Sequence, residues 1–150
     1  MFRKIFPELT SLLLIVLFVY TGYMKLADHT RFANTIAYQK NIATFSEIIA
    51  WAIPLIELAI ALLLFIPRFR RVGLLAGGAL MSFFTIYVGV SLLSGEELPC
   101  SCGGVISQMN WTEHFFFNLF FSVSAILSWF MLRNVNHGKS KYKLSNPLPR

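Results

Sequence analysis

The chain has 150 residues, of which 56% are apolar and only 13% are charged. A soluble domain carries about a quarter charged residues, so this composition excludes an ordinary soluble protein and indicates that lipid is the solvent. The length allows a single domain. The net charge of +6 does not indicate nucleic-acid binding, because the basic residues sit mainly beside apolar stretches. We therefore expect the lipid bilayer, and no nucleic acid, among the partners.

Four apolar stretches are long enough, or nearly so, to cross a bilayer as helices, which takes roughly 20 residues. They cover residues 9–24, 45–66, 72–93 and 111–132. We expect the first to be retained, because no small-residue cleavage site follows it. Residues 28–44 are too polar to cross, but Phe32 and Ile36 stand one helical turn apart and predict an interfacial helix. The predicted fold is all-α, an integral membrane four-helix bundle with a short extracytoplasmic interfacial helix.

The distribution of basic residues predicts the orientation of the bundle. If the four stretches cross the membrane in turn, the segments on one side of the membrane contain three of the 13 Lys and Arg residues, namely Lys25, Arg31 and Lys40. The segments on the other side contain the remaining ten. The positive-inside rule then places both termini in the cytoplasm and residues 94–110 outside. We expect a multi-pass protein of the bacterial inner (plasma) membrane. Residues 1–133 form the four-helix domain, and 134–150 form a basic cytoplasmic tail that is predicted to be disordered.

The only two cysteines, Cys100 and Cys102, lie in the sequence EELPCSCGG between the third and fourth stretches. An oxidising compartment permits a disulfide there, but so small a ring is strained and easily reduced. It also stabilises a fold little, because the loop it closes is short. Thiol–disulfide exchange is the favoured interpretation. A local structural pair remains an alternative, as does a metal site with His114, although the usual CxxC spacing is absent and we predict no metal.

Ionisable and amide side chains inside the apolar stretches are further candidates. Glu57 lies midway along the second stretch, where a charge costs about 2.5–3.5 kcal/mol on insertion scales, so it must face protein or water. It either forms a packing hydrogen bond or handles a proton. Its candidate partners are Lys25, His114, Asn118, Tyr20 and Tyr23.

The start of the fourth stretch carries a histidine and a run of phenylalanines. His114 either deprotonates a thiol or marks the membrane interface. The run could line a quinone pocket, but phenylalanines on all sides of a helix are more typical of a lipid-facing surface. Its members are Phe115, Phe116, Phe117, Phe120 and Phe121.

Three short motifs match the pattern of a known family. They are YTGYMKLADHTRF at the end of the first stretch, PLIEL in the second, and CSCGG followed by Trp111. Together they resemble the MauE/DoxX family of small four-helix membrane proteins, and more closely its methylamine utilisation (MauE) branch. The family loop more often reads CGCFG, whereas Ser101 and Gly103 stand here in place of the glycine and the aromatic residue. The family positions matched are Gly22, Lys25, Phe32, Pro54, Glu57, Cys100, Cys102 and Gly104.

The resemblance implies a redox-associated membrane protein that assists disulfide formation or maturation of a periplasmic dehydrogenase subunit. The hypothesis is a membrane-embedded thiol–disulfide redox protein acting on an exported or periplasmic redox protein. Cys100 and Cys102 would exchange disulfides, with His114 as the base. Quinone is the cofactor that the resemblance suggests, with Lys25, Glu57 and Asn118 as candidates for its site. Two alternatives stay open: a non-catalytic assembly factor or subunit for a periplasmic redox enzyme, and a small transporter.

Overall fold

The computed structural model describes residues 2–37, 43–94 and 110–145. Within these ranges the chain forms five α-helices and no strand, which confirms the all-α prediction. The helices are α1 (Phe2–Ala27), α2 (His29–Ala37), α3 (Ser46–Phe65, after a 3-10 turn at Ala43–Phe45), α4 (Arg70–Ser94) and α5 (Trp111–Ser145).

Four of these helices are long and apolar enough to cross a membrane, so the chain is a multi-pass membrane protein. The spans are Ile5–Ala27, Ala43–Phe65, Arg70–Leu93 and Trp111–Arg133. Each predicted stretch overlaps one of them. Large apolar side chains such as Val16, Leu62 and Ile86 point outward from the bundle. An apolar outer surface is what a lipid solvent favours.

The four spans form a ring in the order α1, α3, α4, α5, in which each helix packs against its two neighbours. A core of Leu14, Phe18, Leu64 and Leu74 is fully or almost fully buried between them. The hydroxyls of Ser82 on α4 and Ser122 on α5 lie 2.6 Å apart and add a polar contact between these two helices. Both apolar packing and interhelical hydrogen bonds therefore hold the ring together.

Glycines allow the helices to approach closely where α4 meets its neighbours. A Cβ on Gly77 would lie 3.2 Å from the Phe18 ring, and one on Gly78 would lie 3.2 Å from Ile126. Close helix contact of this kind is a common role of glycine in membrane helices.

The turn between α3 and α4 follows from one proline. Ile66 adopts an extended conformation (φ −84°, ψ 115°), because the ring of Pro67 disfavours a helical conformation in the residue before it. Phe69 then donates its backbone N–H to the Ile66 carbonyl at 3.0 Å, and α4 begins at Arg70. This short connection makes α3 and α4 adjacent and antiparallel.

The segment predicted to form an interfacial helix contains α2. The buried apolar residues of this helix, Phe32, Ala33 and Ile36, pack against Ala50 of α3. The structure confirms a helix in this segment, and the apolar side of this helix contacts α3.

The last helix continues beyond the predicted domain boundary. The span within α5 ends at Arg133, whereas the helix itself continues to Ser145. The boundary at residue 133 therefore marks the end of the apolar span and not the end of the helix. The division of the chain into a domain and a disordered tail stays a prediction.

Candidate functional site

A cavity of about 260 Å³ lies inside the bundle at the end where α2 packs. All five helices contribute to its walls, which are mainly aromatic and aliphatic. Its lining residues are Leu17, Phe18, Thr21, Lys25, Phe32, Thr35, Ile36, Ile49, Ile53, Glu57, Met81, Phe83, Phe84, Tyr87, Val88, Trp111, His114, Phe117 and Asn118. A largely apolar cavity with a few converging polar groups is the usual form of a small-molecule site.

An ion pair between two helices forms one polar wall of this cavity. Lys25, in the last turn of α1, donates a hydrogen bond from Nζ to Oε1 of Glu57 on α3. The two side chains are only 4% and 1% exposed. The flexible stem of Lys25 allows its ammonium group to reach the carboxylate from the end of the helix. Each charge compensates the other where lipid or apolar protein would otherwise surround it.

Aromatic rings and a hydroxyl group also lie close to this ion pair. The Lys25 ammonium lies 5.1 Å from the ring centre of Phe84 and 5.5 Å from that of Phe32, within the range of cation–π attraction. The Thr21 hydroxyl lies 2.9 Å from the Leu17 carbonyl and 3.3 Å from Oε2 of Glu57. Its single proton is shared between these two acceptors. Glu57 is thus held by contacts from α1 to both of its carboxylate oxygens.

Another part of the wall carries two polar side chains of α5. His114 and Asn118 are one helical turn apart, and they are 5% and 4% exposed. A spacing of four residues places both on the same face of the helix, toward the cavity. Nδ2 of Asn118 is buried without a hydrogen-bond partner among the described residues. A buried amide donor that lacks a partner is unfavourable unless something binds to it.

The structure brings together four of the residues selected from the sequence, namely Lys25, Glu57, His114 and Asn118, around one cavity. Lys25 is indeed a partner of Glu57. Tyr23, another proposed partner, is 66% exposed and does not line the cavity.

Most of the phenylalanine run lies away from the cavity. Only Phe117 lines it, whereas Phe116 and Phe120 are each 62% exposed on the outer surface. Phe116 and Phe120 therefore lie on the outer surface, as the lipid-facing interpretation predicts, and Phe117 lies in the cavity wall, as the pocket interpretation predicts.

The cysteine predictions fall elsewhere in the chain. Cys100 and Cys102 lie outside the described residues, so their roles stay predictions. The described ranges contain no group of three His, Cys, Asp or Glu side chains that could hold a metal ion. The alternative of a site formed by the two thiols and His114 is not tested by that observation.

Thr21 and Tyr87 are cavity residues that sequence reasoning missed. Threonine in a membrane helix usually bonds to its own backbone and gives no charge signal. Thr21 lies four residues before Lys25, however, on the same helix face, and that spacing could have identified it once Lys25 was known to point inward.

Comparison with known proteins places the chain in a family. The family model described as methylamine utilisation protein MauE matches residues 3–131. This chain belongs to the MauE family. No curated protein and no solved structure matches it. The matched range includes every residue that lines the cavity.

The cavity of this MauE-family protein combines three kinds of group. It has a charged pair that can exchange a proton or a hydrogen bond, a histidine that can act as a base, and an amide donor with no partner in the described chain. The aromatic side chains in its walls favour a flat apolar ligand. Such a site can bind a lipophilic molecule with a polar ring.

Proposed function

We propose that this MauE-family chain is a membrane-embedded thiol–disulfide redox protein that supports disulfide formation in, or maturation of, an exported protein. The family description associates the MauE family with methylamine utilisation. A disulfide-containing exported redox protein of that metabolism is therefore the first client to test. Cys100 and Cys102 are the exchanging thiols of the proposal.

The connection between the cysteine segment and the cavity is the observation that supports this function. Residues 95–109 join the end of α4 at Ser94 to the start of α5 at Trp111. Tyr87 and Val88, near that end of α4, line the cavity, as do Trp111 and His114 at the start of α5. The cysteines are thus tethered to the end of the bundle where the buried polar site lies.

The proposed exchange transfers a disulfide from this chain to the client. A client thiolate attacks one sulfur of the Cys100–Cys102 disulfide, which breaks that S–S bond and forms a mixed disulfide. The second client thiolate then attacks the client sulfur of the mixed disulfide and releases the other cysteine. The client loses two electrons and two protons, and the Cys100–Cys102 pair gains both. His114 is the group we assign to proton transfer during these steps.

The orientation in this proposal follows the basic residues. Both termini are cytoplasmic, and the cysteine segment faces the outside of the inner membrane, because Lys and Arg are concentrated on the side of the α3–α4 turn. That side would let the cysteines meet an exported client in an oxidising compartment.

The test follows the disulfide state of the client in cells that carry the chain or its cysteine variants. Thiols are trapped with an alkylating reagent, and the oxidised and reduced client are separated by gel electrophoresis. We expect the Cys100→Ser/Cys102→Ser variant to leave the client reduced, although the variant is present in the membrane at the normal level. Each single variant should lose the activity as well, and one should accumulate the mixed disulfide.

The assembly-factor alternative predicts a different result. In that case the Cys100→Ser/Cys102→Ser variant would bind the client and support its maturation as well as the unsubstituted chain does. Such a result would exclude thiol exchange as the function. A control variant, Ser101→Ala, changes the same segment without removing a thiol and should leave the client oxidised.

A further inference from the structure

The end of the bundle opposite the cavity carries a cluster of arginines. Arg68 lies in the α3–α4 turn, Arg70 and Arg71 begin α4, and Arg133 ends the span within α5. Of the seven acidic residues in the sequence, only Glu8 belongs to the chain segments at this end. The cluster is therefore a strongly positive surface at the level where a bilayer places its phosphate groups.

The register of α4 against α5 places two of these arginines at the same level. A Cβ on Gly78 would lie 3.2 Å from Ile126, and the serine contact between these helices follows the same antiparallel register. Each turn back along α4 is therefore matched by one turn forward along α5. Two turns beyond Gly78 and Ile126, the facing sides of the helices carry Arg71 and Arg133.

These two facing arginines have no internal counter-charge. Neither Arg71 nor Arg133 forms an ion pair within the described ranges, and Glu8 lies 3.8 Å from Nη1 of Arg70 instead. The Arg133 guanidinium lies 5.5 Å from the ring centre of Trp129, a cation–π contact that favours its position beside α5. Like charges at one level of neighbouring helices repel each other, and an anion bound between them would remove that repulsion.

The surroundings of the two arginines fit a phospholipid. A guanidinium group can donate two parallel hydrogen bonds to a phosphate group. One and two turns deeper in the membrane, Leu75 and Ile126 are 48% and 36% exposed and offer apolar surface to acyl chains. A free anion would use the arginines alone, whereas a phospholipid would cover both kinds of surface. A head group that also carries a cation would bring a further positive charge to the cluster, so a net negative lipid is favoured.

We propose that Arg71 and Arg133 bind the phosphate group of an anionic phospholipid, with the acyl chains of the lipid lying along the groove between α4 and α5. The lipid comes from the leaflet at the α3–α4 turn. Its phosphate group joins the start of α4 to the end of the α5 span, where the two arginines would otherwise repel each other. This site shares no residue with the cavity, and it does not depend on thiol exchange.

The test measures which lipid contacts Trp129 in bilayers that contain the full-length protein. Trp129 is the only tryptophan in a Trp51→Phe/Trp111→Phe background, and bromine atoms on acyl chains quench it on contact. Brominated phosphatidylglycerol is compared with brominated phosphatidylcholine at about 1 M salt, where the Debye length is about 3 Å and only close charges contribute. We expect at least about a fivefold preference for phosphatidylglycerol. Equal quenching by the two lipids would overturn the proposal, and this comparison needs no arginine substitution.

Matched variants test whether the two facing arginines cause the preference. Arg71→Gln and Arg133→Gln should each reduce it to less than about twofold, because one of the two phosphate contacts is lost. Arg68→Gln is the control, since it removes the same charge from an exposed position in the turn. It should leave the preference unchanged. Equal reductions by Arg68→Gln and Arg71→Gln would overturn the proposal in favour of a diffuse positive surface.

Two further comparisons test the position and the source of the anion. Trp111, at the other end of α5, should be quenched equally by both lipids in a Trp51→Phe/Trp129→Phe background. The same preference at Trp111 as at Trp129 would mean that anionic lipid surrounds the whole protein, which would overturn the proposed site. Replacing chloride by inorganic phosphate at equal ionic strength should leave the preference at Trp129 unchanged. Its loss would identify a free anion as the ligand and overturn the assignment to a lipid.

Discussion

Nζ of Lys25 donates a hydrogen bond to Oε1 of Glu57 across 32 residues of sequence, and neither side chain is more than 4% exposed. This contact joins the end of α1 to the middle of α3 and forms a wall of the cavity. The ring centres of Phe84 and Phe32 lie near the ammonium group, at distances that favour a cation. The pair therefore contributes both to the contact between the two helices and to the polarity of the cavity.

Removing one member of this pair should strongly destabilise the protein. Glu57→Gln leaves the Lys25 ammonium buried without a counter-charge, and we expect a loss of about 3–5 kcal/mol in the free energy of unfolding. The Lys25→Met/Glu57→Gln double variant should recover more than half of that loss, because no unpaired charge remains. Unfolding in mixed micelles with increasing denaturing detergent measures both values.

A second ion pair between helices provides the control. Glu8 and Arg70 lie 3.8 Å apart, but Glu8 is 67% exposed and Arg70 28%. Glu8→Gln should change the free energy of unfolding by no more than about 1 kcal/mol, as is usual for exposed pairs. A loss for Glu57→Gln as small as this would contradict the structural role of the buried pair.

His114 should control the rate of thiol exchange without controlling the fold. His114→Gln keeps a hydrogen-bonding side chain on the cavity wall but cannot act as a base. We expect the rate constant for reaction of the reduced protein with a small disulfide to fall about 10²-fold, the lower end of the range for general base catalysis. Stopped-flow measurement of the released thiol gives this rate.

His29→Gln is the matched histidine control for that rate. The ring of His29 stacks on Trp51 at 4.4 Å between centres and does not line the cavity. Its substitution should leave the exchange rate constant unchanged. Equal rates for the His114 and His29 variants would remove His114 from the mechanism and return it to a packing role.

Labelling with a membrane-impermeant thiol reagent tests the proposed orientation. The native cysteines, after reduction, should react in intact cells or right-side-out vesicles. In the Cys100→Ser/Cys102→Ser/Arg68→Cys variant the single thiol lies in the α3–α4 turn, on the opposite side, and should react only after the membrane is permeabilised. The reverse pattern would place the cysteine segment in the cytoplasm, where a stable disulfide is disfavoured.

The close contact between Gly73 and Leu64 predicts that the α3–α4 turn does not tolerate alanine at position 73. A Cβ on Gly73 would lie 2.9 Å from the backbone nitrogen of Leu64 and 2.9 Å from its Cγ. Gly73→Ala should therefore lower the free energy of unfolding by about 1–3 kcal/mol, because backbone must shift to relieve the overlap. Unfolding in mixed micelles measures the loss.

Gly89→Ala tests whether the effect of Gly73 comes from this contact. The added Cβ would meet only the Phe115 ring at 3.2 Å, and a side chain can move more readily than backbone. This variant should be neutral or slightly stabilising, because alanine favours a helix over glycine. If Gly73→Ala and Gly89→Ala lowered the free energy of unfolding equally, the close contact of Gly73 with the Leu64 backbone would not be the cause of the loss.

The membrane spans could be predicted because they depend on the local sequence alone and not on which helices pack together. A helix that crosses a bilayer needs a continuous apolar sequence of about the same length each time. The end of such a helix can be recognised in the sequence from residues such as Pro67, which disfavours a helical conformation in the residue before it. The pairing of Lys25 with Glu57 was among the predictions for the same reason. An ionisable group inside a span must find a partner, and few candidates exist in so apolar a chain.

The shape of the site could not be predicted in this way. The position of α2 against α3 depends on which apolar surfaces meet, and surfaces that face lipid or protein have similar compositions. Asn118 was a candidate by its polarity, but only packing shows that Nδ2 is left without a partner inside a cavity. Thr21 gave no signal of its own, because its contact with Glu57 requires two helices to be in register.

The buried pair also has a consequence for how the chain is made. Glu57 enters the bilayer within α3, and an unpaired carboxylate at that depth opposes insertion by about 2.5–3.5 kcal/mol. Its counter-charge, Lys25, belongs to α1 and is synthesised earlier. Because synthesis runs from the N-terminus, Lys25 is already present when Glu57 enters the membrane. The helix α3 can therefore leave the translocon as one half of a helical hairpin that is already in contact with α1.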